Sequence, residues 1–380
     1  MMQTRIPIVQ TRRDAWVEID LGNIEHNIKI LKNQIPSNVK LFAVVKADAY
    51  GHGATMVAPT LIASGVDMLG VASVDEGIQL REAGIEAPIL VLGSAPGWSF
   101  IAAAENDIQL SIFTDEHVND CINVYNKLGK RPKVHVKVDT GMHRIGIPYV
   151  QAPEFIKQVA NIEEIDLQGV FTHLACAEDI KVTGKQKMAW ESVISQIKDL
   201  DITRHILNTA GLLSYEDMQY DMVRAGIGIY GLMPDMPPEN KFRPDFKQVM
   251  SLKGRIVHIQ NLEQNSGISY GYSYITSNFI TKVATIPIGY ADGVERALSN
   301  RIYGLINGKK VRQIGNITMD QMMFDVSHIE NIETGDVITL LGQDGNEFIS
   351  IDKWARKLKT INYEITCKLR VRLPRVYTRS

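Results

Sequence analysis

The chain has 380 residues, with 41 Lys and Arg against 43 Asp and Glu, for a formal net charge of -2. That near-neutral balance argues against a nucleic-acid or acidic-membrane surface as the main partner. The length allows two or three domains, or one large barrel plus a second domain, and fills a core without a structural metal or disulfide.

Cys121, Cys176 and Cys367 are odd in number and widely spaced. This suits reduced thiols in a cytoplasmic compartment better than a disulfide framework. The opening "MMQTRIPIVQTRRDAW" lacks the apolar core of a signal peptide. No apolar run approaches the roughly 20 residues of a membrane span. The expectation is a cytoplasmic protein with no membrane partner.

Short apolar runs then follow one another: "KLFAVVK" 40–46, "MLGVAS" 68–73, "PILVLG" 88–93, "QLSIFT" 109–114, "KVHVKV" 133–138, "LQGVFTHL" 167–174, "HILNTA" 205–210 and "GIGIYG" 226–231. Most are continuously apolar, as strands covered on both faces are. Helix-length segments of mixed charge separate them. "SVDEGIQLREAG" 73–84 opens on a Ser cap and an acidic turn and ends on Gly, "TDEHVNDCINVYNKLG" 114–129 repeats the plan, and "GKQKMAWESVISQIKDL" 184–200 is a third. Eight strand–helix alternations predict a (β/α)8 TIM barrel. The rival is a doubly wound open sheet, whose dinucleotide-binding form is disfavoured because no G-x-G-x-x-G opens a helix.

"LMPDMPPENKFRPDFK" 232–247 carries four prolines and reads as a linker. Beyond it, "SLKGRIVHIQNLE", "FITKVATIPIG", "NGKKVRQIGNITMDQMMFDV", "GDVITLLG" and "ITCKLRVRLPRVY" predict strands joined by Gly- and Asn-rich turns, with one clear helix at 350–359. The predicted organisation is a barrel over 12–245 and a mostly antiparallel β domain over 246–380, with residues 1–11 packing on the latter.

Catalytic groups of barrels sit at the C-terminal ends of the strands. Lys46 ends the first predicted strand. A partly desolvated amine there has a lowered pKa and attacks carbonyls; the bland alternative is a solvent-facing lysine that only ends a strand. Other strand ends carry chemistry too: Lys137 and Arg144 in and after "KVHVKVDTG", His173 in "GVFTHL", Asn208 and Thr209 in "HILNTA", and Arg224 before "AGIGIYG". A buried Lys137 must be neutralised or paired. A lone His173 is ordinarily a hydrogen-bonded structural histidine. The glycines of "RAGIGIYG" either expose N–H groups to an anion or pack closely in a strand. A nucleophilic lysine with a phosphate cradle suggests pyridoxal phosphate.

At this point the sequence resembles the alanine racemase family of fold-type III pyridoxal-phosphate enzymes. The likeness runs from "AWVEIDLGNIEHNI" to "RLPRVY". "AVVKADAYGHG" is its most specific block; "KVDTGMHRIG", "THLACAED", "RAGIGIYG", "IPIGYADG" and "MDQMM" follow in the family's order. The resemblance implies an N-terminal barrel, a C-terminal β domain, and a homodimer whose active sites are shared. It assigns Lys46 to the cofactor's aldehyde and Tyr50, Thr209, Gly226, Ile227 and Tyr363 to its phosphate. Arg224 falls at the pyridine nitrogen, with His173 and Asn208 also beside the cofactor. Arg144 falls near the phenolic oxygen and the substrate, and Lys137 matches a lysine often carbamylated. Tyr270 matches the second base, and Tyr290, Met319 and Asp320 the substrate entrance or carboxylate site. The implied activity is interconversion of L- and D-alanine by two bases, supplying D-alanine for peptidoglycan.

Four positions depart from the pattern. His143 replaces a small residue, Thr209 a serine and Thr318 a cysteine or serine, and Cys176 occupies a variable place. His143 puts the loop before Arg144 in question, and Thr318 the size of the substrate. Three rivals are weaker. A basic-amino-acid decarboxylase of similar fold places a glutamate where Arg224 stands. A barrel-only pyridoxal-phosphate-binding protein would lack Tyr270, "MDQMM" and the β domain. A zinc site from His173, Cys176 and His205 has spacing too weak for a defined ligand set; no metal is expected.

Overall fold

A computed structural model describes residues 13–379. It divides into two units. One spans Ile24–Lys247; the other joins the described residues up to Asn23 to those from Gln248 onward. The predicted packing of residues 1–11 lies outside the described residues.

The first unit is a nearly closed barrel of parallel strands. Their order is Met222–Ala225, Lys40–Val44, Met68–Val71, Ile89–Val91, Ile108–Ile112, Lys133–Asp139, Asp166–Phe171 and Thr203–His205. The two ends of that order meet through Asp221 N–H to Arg204 O (3.2 Å) and Arg224 N–H to Leu207 O (3.1 Å). Continuous burial along Met68–Val71, Ile89–Val91 and Ile108–Ile112 explains their unbroken apolar sequence. Phe42, Met68, Leu90, Phe171 and Met222 form one layer of the core. The helices begin where their caps are: Ser73 Oγ accepts from Glu76 N–H at 3.3 Å, and Thr114 Oγ1 from His117 N–H at 3.2 Å.

Three barrel predictions are corrected. The eighth strand is Met222–Ala225, not 226–231; there Ile227–Tyr230 forms a 3-10 turn. Apolar periodicity cannot separate a short strand from a buried turn. The seventh strand is Thr203–His205, because Asn208 already caps the turn Thr209–Leu212. The third helix starts earlier, at Ile180, where Asp179 accepts from Lys181 and Val182 N–H.

The second unit is a mostly antiparallel sheet. Its order is His258–Glu263, Ile280–Ile286, Met322–Asp325, Lys309–Ile314, Tyr303–Ile306, Val337–Asp344, Met250–Arg255, Ala15–Asp20 and Arg375–Thr378, with Glu347–Ile349 on the side of Val337–Asp344. Ala15–Asp20 pairs antiparallel with Met250–Arg255 and parallel with Arg375–Thr378. It therefore belongs to this sheet, which moves the barrel's start from 12 to Ile24. Beyond the predicted helix, found at Ile351–Leu358, a second helix at Asn362–Lys368 replaces the first part of the strand expected over 365–377. Among the described residues no helix is long and apolar enough to cross a membrane.

Candidate active site

The strand before Lys46 stops at Val44. Lys46 opens a turn in which Ala47, Asp48, Ala49 and Tyr50 all have φ of 53–54°. Each non-glycine residue in that left-handed region costs about 1–2 kcal/mol, so the turn must be held from outside. Glu76 does this with both oxygens, Oε1 accepting from Ala47 N–H at 2.8 Å and Oε2 from Ala72 N–H at 2.7 Å. Asp48 Oδ1 accepts from Ala54 N–H at 2.8 Å. The His52 ring meets Ala49 O at 2.9 Å. The motif "KADAYGHG" thus encodes a reversed turn that leaves Lys46 half-buried and turns Tyr50 back into the barrel.

Tyr50 packs against Tyr230, whose hydroxyl donates to Val44 O at 2.9 Å. A Cβ built at Gly226 would stand 2.7 Å from the Tyr50 hydroxyl oxygen. Only glycine lets that phenol reach the backbone after Arg224. Thr209 Oγ1 accepts from Gly226 N–H at 2.9 Å, which leaves its own proton to donate. Asn208 acts as the cap that fixes Thr209, its Oδ1 accepting from Gly211 N–H at 2.9 Å. Tyr50, Thr209 and Gly226 therefore converge, and Ile227 is buried beside them. A phenol, a hydroxyl and glycine backbone with no Cβ between them fit a phosphate.

Arg224 is 3% exposed. Nη1 donates to His205 Nδ1 at 2.7 Å; Nη2 reaches Thr172 O at 2.6 Å, Ile206 O at 2.8 Å and His173 Nδ1 at 3.3 Å. Nε takes no part in these bonds. Burial brings the guanidinium down to about 9, so it remains a cation at neutral pH. A fixed group that can only donate suits an unprotonated pyridine nitrogen. Burial first, then the charges of Arg224, Lys137, Arg144 and Lys46, holds His173 well below the usual imidazole range. Because His173 Nδ1 faces a donor, its proton sits on Nε2.

Lys137 is buried, with Nζ 3.1 Å from Val138 O and 5.0 Å from the Phe171 ring centroid. Burial, reinforced by Arg224, brings its amine down to about 7. Arg144 is exposed on the loop that follows. Asp139 organises that loop, its Oδ1 accepting from Gly141, Met142 and His143 N–H at 2.9, 3.0 and 3.0 Å. His143, at φ 54°, also meets Asp139 Oδ2 through Nδ1 at 3.1 Å. The departure at 143 thus adds a ring hydrogen-bonded to Asp139 one residue before Arg144. Burial would raise the Asp139 carboxyl, but the Gly141 and His143 bonds outweigh it and hold the group low.

The remaining predicted residues lie in the second unit. Tyr270 is 75% exposed, on a loop fixed by Asn316 Nδ2 to Tyr270 O at 2.7 Å and Ser269 Oγ to Asn316 O at 2.7 Å. Tyr290 and Met319 are clipped together by backbone bonds, Tyr290 N–H to Thr318 O and Ala291 N–H to Met319 O, both 3.0 Å. "GYADG" is the sequence of this clip. A Cβ at Gly289 would stand 2.3 Å from Met319 O, and one at Gly293, φ 102°, 2.1 Å from Lys368 O. The buried Asp292 carboxylate accepts from Gly289 N–H at 2.9 Å and pairs with Arg13 at 2.6 Å and Arg372 at 3.0 Å. Asp320 is engaged by Arg372 at 2.6 Å. Tyr270, Tyr290, Arg296, Ile317, Thr318 and Lys368 line a cavity of about 510 Å³. Tyr363 is half-buried in the helix Asn362–Lys368 of the same unit.

Sequence reasoning missed Glu76, Asp292, His135 and Gln109. It weighed His205 only as a zinc ligand, whereas the ring bonds Arg224. Glu76 had a faint signal as an acidic residue at the third position of a capped helix. His135 and Gln109 are isolated polar residues in apolar strands, brought together only by closure of the barrel, and Asp292 lies in a turn whose arginine partners are distant in sequence.

A parallel barrel carrying a lysine turn, a cradle of phenol, hydroxyl and glycine, and a buried arginine, in one chain with an antiparallel sheet unit, is a barrel-plus-β-domain protein. The chain matches the family models "Alanine racemase, N-terminal domain" over residues 19–234 and "Alanine racemase, C-terminal domain" over 249–377. It is 43% identical over 370 residues to an alanine racemase of Nostoc sp., covering 95% of both chains. Its fold is similar to the solved alanine racemase of Clostridium difficile 630 (TM-score 0.91, 36% identity, 98% and 97% of the two chains). It is also similar to a histidine racemase from Leuconostoc mesenteroides subsp. sake (TM-score 0.86, 28% identity, 97% and 98%). The chain belongs to the alanine racemase family, whose members use pyridoxal phosphate.

Proposed function

We propose that this chain interconverts L- and D-alanine with pyridoxal 5′-phosphate as cofactor, using two bases, and so supplies D-alanine for peptidoglycan. The observation that carries the reading is the gathering of the Lys46 turn, the Tyr50–Thr209–Gly226 cradle and the buried Arg224 at one end of the barrel. Lys46 would hold the cofactor's aldehyde carbon, the cradle with Ile227 its phosphate, and Arg224 its ring nitrogen. When bound, the cofactor withdraws electrons from the substrate and acidifies its Cα–H. Arg224 keeps that withdrawal shallow, because a guanidinium cannot readily give a proton to the ring.

The protein's own groups then move the proton. The Lys46 amine exchanges it on the D face of Cα and the Tyr270 phenol on the L face. His173, which accepts from Arg224 at Nδ1, presents Nε2–H for the Tyr270 oxygen. Arg144 orients the substrate carboxylate, with Met319, Tyr290 and Asp320 of the partner subunit at the entrance. Thr318 and Met319 bound the room for the side chain. Lys137, with an amine near half-neutral at physiological pH, is suited to add CO₂: the amine nitrogen bonds the carbon, a proton leaves, and the carbamate pairs with Arg144.

The active protein is a homodimer, each site joining Lys46 of one chain to the partner's Tyr270. The exposure of Tyr270, Tyr272, Tyr290 and Met319 on the second unit supports a covering partner. The unpaired Cys121 and Cys176 thiols suit a cytoplasmic setting.

The deciding experiment incubates L-alanine, L-serine, L-lysine, L-glutamate and L-histidine with enzyme and cofactor in D₂O, followed by chiral analysis. D-alanine deuterated at Cα should form fastest. Faster turnover of another amino acid refutes the substrate, and CO₂ release without a D-product refutes the reaction. Borohydride should trap the cofactor on Lys46. Mixing inactive Lys46→Ala with inactive Tyr270→Phe should restore activity, since one site in each mixed dimer is intact.

A further inference from the structure

We propose that Gln109 and His135 are positioning residues for Arg224, because with His205 they form a one-way hydrogen-bond chain that starts at the Arg224 donor and ends on the Gln109 carbonyl, which accepts its last proton. The links are Arg224 Nη1 to His205 Nδ1 at 2.7 Å, His205 Nε2 to His135 Nδ1 at 3.1 Å, and His135 Nε2 to Gln109 Oε1 at 3.0 Å. Gln109 lies on Ile108–Ile112, His135 on Lys133–Asp139, His205 on Thr203–His205 and Arg224 on Met222–Ala225. The chain thus ties four barrel strands together. All four side chains are buried.

The direction follows from one chemical fact: a guanidinium has five N–H donors and no acceptor. His205 Nδ1 must therefore accept, and its single proton sits on Nε2. That proton points at His135 Nδ1, which must accept in turn, so the His135 proton sits on its own Nε2. There it needs an acceptor, and the Gln109 carbonyl is that acceptor. Were the amide turned to offer its NH₂, both rings would have to reverse, and His205 would aim an N–H at an N–H of Arg224. Protonating either ring creates a similar clash. In agreement, burial and then Arg224 hold His135 at about 3 and His205 well below the usual imidazole range.

Two further features hold the rings in place. Phe171 stacks on His205 with centroids 4.9 Å apart and planes at 11°. Gly169 makes room for His135; a Cβ there would stand 2.5 Å from Nδ1. The arginine read as meeting the cofactor ring is thus aimed by a residue three hydrogen bonds away, on the opposite side of the barrel.

The inference rests on the reading of Arg224 as the ring-nitrogen residue, so its test includes a readout that needs neither substrate nor cofactor. ¹⁵N-imidazole NMR of the cofactor-free protein should show His135 and His205 each as one Nε2–H tautomer at neutral pH. A Gln109→Met variant, equal in size but without the carbonyl, should leave the His135 Nε2–H without its partner and shift that ¹⁵N–H signal, and its cofactor-loaded form should lose about 10-fold in kcat with little change in KM. Gln109→Glu restores the acceptor and should keep more kcat than Gln109→Met, even though a buried carboxylate lowers its unfolding midpoint. A packing role predicts the opposite order, because Met is the better-tolerated core residue. An Nδ1–H tautomer on His205 in the wild type, an unchanged kcat in Gln109→Met, or kcat following stability across the two variants overturns the proposal. If the wild type racemises no amino acid, the functional reading fails and the tautomers alone decide this one.

Discussion

The two units hold their chemistry in opposite ways. The barrel buries it: Lys137 is 2% exposed and Arg224 3%, each inside a cage of strands. The antiparallel unit displays it: Tyr270 is 75% exposed and Met319 53%, on loops fixed by backbone bonds and glycines. In the barrel, burial tunes the groups themselves, lowering the Lys137 amine and three imidazoles. In the other unit the backbone sets position, and the side chains stay near water. Substitutions and pH should therefore act differently on the two.

The largest expected effect breaks the idea that the display loops are soft. Gly293→Ala adds a Cβ 2.1 Å from Lys368 O at φ 102°. It should destabilise the antiparallel unit by about 3–5 kcal/mol in urea unfolding, from backbone strain plus overpacking. A change below about 1 kcal/mol would mean that the loop yields.

Acid should find the barrel first. His135 falls to about 3 in the fold, against 6.5 when unfolded, so below 6.5 the unfolded chain takes up a proton that the fold refuses. Stability is then lost as pH falls from 6.5 towards about 3 and is retained above 6.5, by about 2 kcal/mol per such histidine between pH 7 and 5. The groups facing this ring are His205 and Gln109, with the Arg224 charge beyond. His135→Leu should flatten the pH dependence by that amount, measured by urea unfolding at both pH values.

A smaller effect sharpens the account of the lysine turn. Glu76→Ala removes the acceptor of two backbone N–H groups at 2.8 and 2.7 Å. The site is partly open to water, so the cost should be about 1–2 kcal/mol. Amide exchange should rise at Ala47 and Ala72 before it rises elsewhere in the barrel. Exchange that remains slow at both amides would show that the turn is held by other contacts.

Smallest in stability is Tyr270→Phe. An exposed hydroxyl should be worth no more than about 0.5 kcal/mol. Its thermal midpoint should match the wild type while racemisation is lost, separating display from burial in one variant. A midpoint lowered by several degrees would show that the phenol is structural.

Much of the barrel was legible because strands covered on both faces read as unbroken apolar runs. Six of the eight lie close to where the sequence puts them. The last two shifted for a shared reason: "HILNTA" and "GIGIYG" are apolar whether extended or turned, and a side-chain cap and a glycine contact decided it. The helix Asn362–Lys368 escaped because "ITCKLRVRLPRVY" is rich in β-formers and its packing is not written locally. The strand Ala15–Asp20 was assigned to the wrong unit since its partners lie more than 200 residues away.

Lys46, Tyr50, Arg224 and Tyr270 could be singled out from the sequence by itself, because their chemistry is local: a residue type in a recognisable block. The tertiary structure alone decided what those residues are held by. The Glu76 clamp on the left-handed turn and the Asp292 clip under Tyr290 depend on side chains distant in sequence or turned by a fold. The chain from Gln109 through His135 and His205 to Arg224 exists only once the strands have closed. Hydrogen bonds are set by distance and direction in space, and a sequence records neither until the barrel brings its strands round.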